Sequence, residues 1–333
     1  MTPPGPAARF LALHHGPTPL LLPNAWDTGS ARLFASMGFL ALATTSSGYA
    51  ASRGRLDGGL TREETLKNAA ELVQATELPV SADLENGFAD QAAAVGRTYD
   101  LALQTGLAGA SIEDSTGDPD SPIHGIEAAT ERVAAAAEAC HRGPAPMVLT
   151  GRAENFLHGR PDLADTIHRL QAYQEAGADV LYAPGLTRLE DIRSVVESVD
   201  RPLNVLATAG TPPVSALSRV GVGRVSVGGA FAFAALEATA AAAREFFDEG
   251  TSGYTSQSKT GKDLASRISP PGPPTPSGPA GCPGGALRVL TKQRRLAIGG
   301  KGEPPLPSGG GKAPAVQGPG RCPGADLITW SAG

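Results

Sequence analysis

Three carboxylates and one guanidinium stand out for where they fall in the chain. Asp83 and Glu85 sit two apart in the segment Ser81–Asp90 (SADLENGFAD), directly after the apolar Leu78, Pro79 and Val80. In an extended backbone alternate side chains share a face, so this spacing points both acids the same way. Two acids converging at the end of a buried strand repel each other and lose hydration unless a cation or donors lie between them. A hard divalent ion such as Mg²⁺, held by oxygen ligands and water, is the natural occupant, with Mn²⁺ as its substitute. The competing reading is a solvated loop with two surface acids, and the pair alone does not choose. Glu113, followed by Asp114, closes a second apolar run from Gly109, and Arg152 closes a third from Met147. A planar guanidinium at such a position either clamps a substrate carboxylate through two parallel hydrogen bonds or neutralises Glu154 or Glu113. Thr45 and Ser46, ahead of Gly48, offer hydroxyls and backbone N–H groups to an anionic end or an oxyanion.

The elements that must hold these groups alternate strand and helix. Strands are expected at 20–24, 39–45, 79–83, 109–113, 147–151, 180–183, 203–206 and 224–227. Helices are expected between them, among them one opened by the capping-box pair Thr61 and Glu64. The strands are continuously apolar, as in a sheet buried on both faces. About eight repeats over roughly 240 residues match a (β/α)8 TIM barrel, an α/β fold. A doubly wound open sheet is the alternative, but no Gly-x-Gly-x-x-Gly follows the first strand. In a barrel, chemistry gathers where strands end. Those ends carry Asn24, Thr45, Ser46, Asp83, Glu85, Glu113, Arg152, Tyr182, Asn204 and Ser226. The six histidines show no metal-ligand spacing, and Cys140 reads as a buried, inert helix residue.

Composition narrows the function classes. The chain has 333 residues and a net charge of −5, which argues against a nucleic-acid or anionic-membrane partner and leaves a small molecule. Three cysteines without CxxC spacing suit a reducing cytoplasm, and no apolar run is long enough to span a bilayer. The expected organisation is a flexible N-terminus over 1–9, a catalytic barrel over 10–250 and a Pro/Gly-rich tail over 251–333. That tail is too poor in periodic apolar faces to order itself, and a solvated tail is favoured over a short basic helix at Leu287–Ile298.

The segments Pro23–Asp27, Asp83-x-Glu85-x-Gly87, Ile112–Asp114, Gly151–Glu154 and Ala176–Asp179 occur in an order and spacing that resembles the isocitrate lyase/phosphoenolpyruvate mutase superfamily. The likeness covers roughly residues 10–250 and excludes the tail. It implies a (β/α)8 barrel that assembles into oligomers by helix swapping. It also implies Mg²⁺-dependent chemistry on 2-oxo or 2-hydroxy carboxylates, in which C–C bonds are cleaved or P–C bonds rearranged. On this likeness Asp83, Glu85 and Glu113 hold the metal, Asp57 is a further acid near it, Arg152 takes a substrate carboxylate, and Thr45 and Ser46 grip the substrate's anionic end; Asn204, at a strand end, is a further substrate-binding candidate. Two departures narrow the activity. The loop Ser115–Gly125 has neither the Cys nor the Lys of the lyase loop, and Pro184 stands where the mutases carry His. The expected function is a Mg²⁺-dependent lyase acting on a small 2-oxo dicarboxylate through an enolate, with oxaloacetate decarboxylation as the concrete candidate. P–C bond chemistry and a non-catalytic metal-binding barrel are the rivals.

Overall fold

A computed structural model describes residues 4–269. The chain begins with helix α1 (Pro6–Leu13), followed by strands β1 (Leu20–Leu22) and β2 (Asn24–Ala25) and helix α2 (Thr28–Ser36). Next come β3 (Leu42–Thr44), α3 (Ser46–Ser52), α4 (Arg62–Ala75), β4 (Val80–Asp83), α5 (Ala92–Leu103), β5 (Gly109–Glu113) and α6 (Ile126–Cys140). The alternation continues through β6 (Val148–Arg152), α7 (Leu163–Glu175), β7 (Val180–Tyr182), α8 (Leu189–Ser198), β8 (Leu203–Leu206), α9 (Val214–Arg219) and β9 (Arg224–Ser226). A last pair of helices, α10 (Ala230–Arg244) and α11 (Thr255–Ile268), is separated by a π-helical turn over Glu245–Glu249.

All strand pairs are parallel, in the order β1-β9-β8-β7-β6-β5-β4-β3-β2. β1 and β2 form the two ends of that order, yet they are neighbours in the chain, parted only by Pro23. Proline has no N–H for the ladder, so a single first strand is split in two: its lower half pairs β9 and its upper half pairs β3. The sheet therefore closes on itself as the expected TIM barrel. The core lies between strands and surrounding helices, with Leu42, Leu72, Tyr99, Leu149, Leu170, Tyr173 and Ile192 fully enclosed. No helix among the described residues is long and apolar enough to cross a membrane.

Two boundaries differ from expectation. The N-terminus is helical from Pro6, where a first-turn proline costs no hydrogen bond. Its Phe10 is fully buried against Ala43, Ala108, Val148 and Val180, so α1 stoppers the lower end of the barrel and 4–9 are not the loose segment expected. At the other end order does not stop at 250. Gly250 takes a left-handed φ of +65° and turns the chain into α11, which packs beside α2 without burying any residue. The stretch Thr255–Ile268 contains no proline and enough helix-forming residues to continue. Residues from 270 onward, with the Leu287–Ile298 stretch, lie outside the described part.

Candidate active site

The upper ends of the strands surround a cavity of about 470 Å³, within the range of small-molecule sites. Asp83, Glu85, Glu113, Asp57, Arg152, Thr45, Ser46 and Asn204 all line it, whereas Asp114, read beside Glu113 in the sequence, does not.

Asp83 ends β4 and is held from three sides. Its Oδ2 accepts from the Ser46 hydroxyl at 3.0 Å and the Ser46 N–H at 3.3 Å, while its Oδ1 accepts from Arg152 at 3.0 Å and from Ser111 at 3.4 Å. Glu85 arrives by a different route from the one expected. The strand stops at Asp83, and Glu85 sits in a turn with φ +49°, followed by Gly87 at +78° and Phe88 at +56°. Alternation along a strand does not aim the two acids together; a left-handed turn does. Left-handed backbone at non-glycine residues is uncommon and is characteristically retained at functional sites. The turn is clamped from behind by Arg132 of α6, which donates to the carbonyls of Asn86 and Asp90.

Glu113 and Arg152 are register partners on β5 and β6, with Arg152 Nη1 3.1 Å from Glu113 Oε2. The same guanidinium donates through Nε and Nη2 to Glu154 Oε1, at 3.0 and 2.8 Å, and lies over the Tyr182 ring at 5.0 Å from its centroid. Burial opposes its charge, but Glu154, Glu113 and Asp83 outweigh that and hold it firmly protonated. The acids carry the complementary strain. Burial, then Asp83 and Asp57, lift Glu85 to about 8; burial likewise pushes Glu113 well up and raises Glu154, against the opposing pull of Arg152. Asp57, on the rim between α3 and α4, is raised by burial of its carboxyl and by Asp83.

Among the described residues no three acid, His or Cys side chains are gathered around a common point as a filled metal site would need, since Arg152 stands between Asp83 and Glu113. The donor set nevertheless fits a hard cation. Glu85 Oε1 is buried without any hydrogen-bond partner, and the surrounding ligand atoms are carboxylate and hydroxyl oxygens.

Asp114 turns the other way. It accepts from Arg169 at 3.0 Å and from the Tyr173 hydroxyl at 2.6 Å, and its Oδ1 takes the Glu154 N–H at 2.8 Å. It braces the rim and stays out of the cavity. Thr45 is the N-cap of α3, its hydroxyl accepting from Gly48 N–H at 3.2 Å, so the expected Thr45–Gly48 loop is a helix start. Ser111, His158 and Arg224 line the cavity but escaped the sequence reading as chemistry, whereas Asn24 was expected at the first strand end. Asn24 accepts from the N–H groups of Val227 and Gly228 at 3.1 and 3.0 Å. For His158 the only available signal was its place four residues past Glu154.

Residues 10–247 match the family described as phosphoenolpyruvate phosphomutase. Among solved structures, a candidate lyase/mutase from Burkholderia cenocepacia J2315 is 49% identical, with a TM-score of 0.77 over 80% of this chain and 96% of that one. The 2-methylisocitrate lyase of Halalkalibacterium halodurans is 31% identical over 215 residues, 63% of this chain and 71% of that protein. An oxaloacetate decarboxylase of Pseudomonas aeruginosa is 30% identical over 194 residues, 56% of this chain and 65% of that protein.

Proposed function

The chain belongs to the phosphoenolpyruvate phosphomutase family, and from that premise we propose that it is a Mg²⁺-dependent carbon–carbon lyase acting on a small 2-oxo or 2-hydroxy dicarboxylate, with oxaloacetate decarboxylation as the first reaction to test. The observation that carries the reading is the meeting of Asp83, Glu85 and Glu113 with Arg152 in one cavity, with Glu85 Oε1 left without a partner. Asp83, Glu85 and Glu113 would hold the ion. When bound, Mg²⁺ supplies Lewis-acid polarisation of the substrate carbonyl and offsets negative charge developing there.

The protein's own groups do the rest. Arg152, pinned by Glu154 and Tyr182, presents a fixed fork that orients a carboxylate at the cavity mouth. The Ser46 hydroxyl and the start of α3 face the oxygen that gains charge as the C–C bond breaks into an enolate. Asp57, whose pKa is raised by burial and by Asp83, is the carboxyl at the rim assigned to return a proton to the enolate carbon. No side-chain nucleophile is required, which suits a Ser115–Gly125 loop without Cys or Lys. The names of the relatives, a 2-methylisocitrate lyase and an oxaloacetate decarboxylase, support the substrate class.

Purified protein is expected to release pyruvate from oxaloacetate with Mg²⁺ and to stop in EDTA; a rate no greater than free Mg²⁺ produces would overturn the reading. A second reading, P–C bond chemistry, is favoured by His158 in the cavity wall and by the family description. Turnover of phosphonopyruvate without turnover of oxaloacetate would select it. The reading extends to assembly. Phe231, Phe233 and Leu236 on α10, with Phe246 and Phe247 after it, form exposed apolar surface that a second copy would cover, and size-exclusion chromatography with light scattering tests this.

A further inference from the structure

Arg224 is a buried charge in the cavity wall and has no acidic partner among the described residues. It is 4% exposed, at the start of β9. Its contacts are neutral: Nε donates to Asn204 Oδ1 at 2.9 Å, Nη2 to Thr150 Oγ1 at 3.3 Å, and Nη1 lies 3.2 Å from His14 Nε2. His14 Nδ1 is 2.8 Å from the Phe10 carbonyl, so that nitrogen carries the proton and Nε2 is the acceptor. No carboxylate among the described residues pairs with Arg224, whereas the other guanidinium in the cavity, Arg152, touches three. An enclosed guanidinium with only neutral partners is costly to keep. What repays it is an anion that enters the cavity, whose wall Arg224 forms.

The register shows how such an anion is reached. Arg152, Tyr182, Asn204 and Arg224 are successive partners across β6, β7, β8 and β9, and all four line the cavity. With strands about 4.8 Å apart, the two arginine Cα atoms are separated by roughly 14 Å along the curved sheet, and both side chains extend inward from it. Two guanidiniums thus face one lumen from either end of a four-residue row. Around the row the wall is made of small residues, Ala43, Ser81, Ser111 and Ser226, which leave room where a barrel interior is ordinarily filled.

We propose that Arg224 is the receptor for a carboxylate of the substrate, and specifically for the carboxylate that survives the reaction. This rests on the dicarboxylate-lyase reading. Arg224, whose charge no acid offsets, favours a carboxylate over CO₂ more than Arg152 does, whose charge three acids already offset, so the end held at Arg224 is the end that stays in the product, and the bond that breaks lies nearer the mouth. Arg224 is then the residue that selects a dianion over a monoanion.

The test is calorimetric titration of the full chain with Mg²⁺ present, using succinate and its half-amide succinamate. Succinate is expected to bind at least about tenfold tighter, and Arg224→Gln, checked for folding by circular dichroism, is expected to bring the two within about twofold. Equal affinities in the unsubstituted protein, or a preference that persists in folded Arg224→Gln, overturn the proposal. Should that variant not fold, a crystal structure of the unsubstituted protein with succinate decides, and a ligand carboxylate not hydrogen-bonded to Arg224 overturns it. In turnover, Arg224→Gln is expected to raise KM for oxaloacetate at least about tenfold while kcat moves less, the split of a binding group that does not join the chemistry. Absence of oxaloacetate turnover sinks the decarboxylase reading alone; the succinate-to-succinamate ratio still decides the role of Arg224.

Discussion

Arg152 and Glu113 face each other as register partners on adjacent strands, 3.1 Å apart, and the same Arg152 nitrogen reaches Asp83 at 3.0 Å. One cation is therefore shared between two acids assigned to hold another. Arg152 is 13% exposed and Glu154 4%, so removing the guanidinium leaves carboxylates enclosed without compensation. Arg152→Met is expected to cost about 3–5 kcal/mol of stability. Arg152→Lys is expected to keep much of the fold and lose most of the turnover, because one ammonium cannot reproduce the fork. Urea unfolding alongside oxaloacetate kinetics separates the two effects.

Mg²⁺ is expected to relieve the repulsion among Asp83, Glu85 and Glu113. At one hundred times its Kd, it should stabilise the protein by about 2.7 kcal/mol, read as a rise in Tm. Because Glu85 is lifted to about 8, binding near neutral pH should release protons, seen as buffer-dependent heats in titration calorimetry. Glu85→Gln should weaken the ion and reduce that proton release. A Tm insensitive to Mg²⁺ and EDTA would contradict the assignment.

His14 supplies a pH dependence whose sign is fixed by its burial. Burial first, and then the Arg224 charge, lower it to about 3, against 6.5 when exposed. Below 6.5 the unfolded chain takes up a proton that the folded one refuses, so this contribution is complete above 6.5 and is lost as pH falls toward 3. The slope is about 1.4 kcal/mol per pH unit in that window. His14→Gln should flatten the stability profile between pH 3 and 6.5 relative to the unsubstituted protein, measured by urea unfolding at successive pH values.

Asp114 is expected to behave as a brace. Asp114→Ala leaves the enclosed Arg169 and the Tyr173 hydroxyl without their shared acceptor and should cost about 3–5 kcal/mol. Succinate affinity, measured where the variant remains folded, should change little, since Asp114 does not line the cavity.

Gly87 tests the turn that delivers Glu85. Its φ is +78°, and an added Cβ would lie 2.9 Å from Val95 Cγ1. Gly87→Ala should therefore destabilise the protein by more than about 1 kcal/mol and weaken Mg²⁺ binding with it, read by thermal unfolding with and without the ion.

The site was legible where local sequence decided position. Asp83, Glu113 and Arg152 follow short apolar strands, and the end of a barrel strand points its last residues at the rim whatever lies elsewhere. Glu85 was found for the wrong reason: spacing by two suggested a strand, but the left-handed turn needs Gly87 and the clamp from Arg132, 46 residues on from Asn86. Asp114 looked equal to Glu113, and its turn outward is set by Arg169, 55 residues away, a pairing that no local pattern encodes. Arg224 was hidden by its setting in an apolar strand, where one charge reads as an edge. Its meaning comes from His14, 210 positions distant, brought beneath it by α1. The early onset of α1 and the late α11 were missed because a Pro/Ala-rich start and a Ser/Lys-rich end resemble linkers until Phe10 is seen to have a hole to fill.

Phe10 and the residues around it close the lower end of the barrel. A vessel stoppered at its base has one opening, so everything that enters must leave by the same door. On the lyase reading, a fragment formed near the mouth would depart first and the acid held at Arg224 would have to follow it, so release is expected to be ordered.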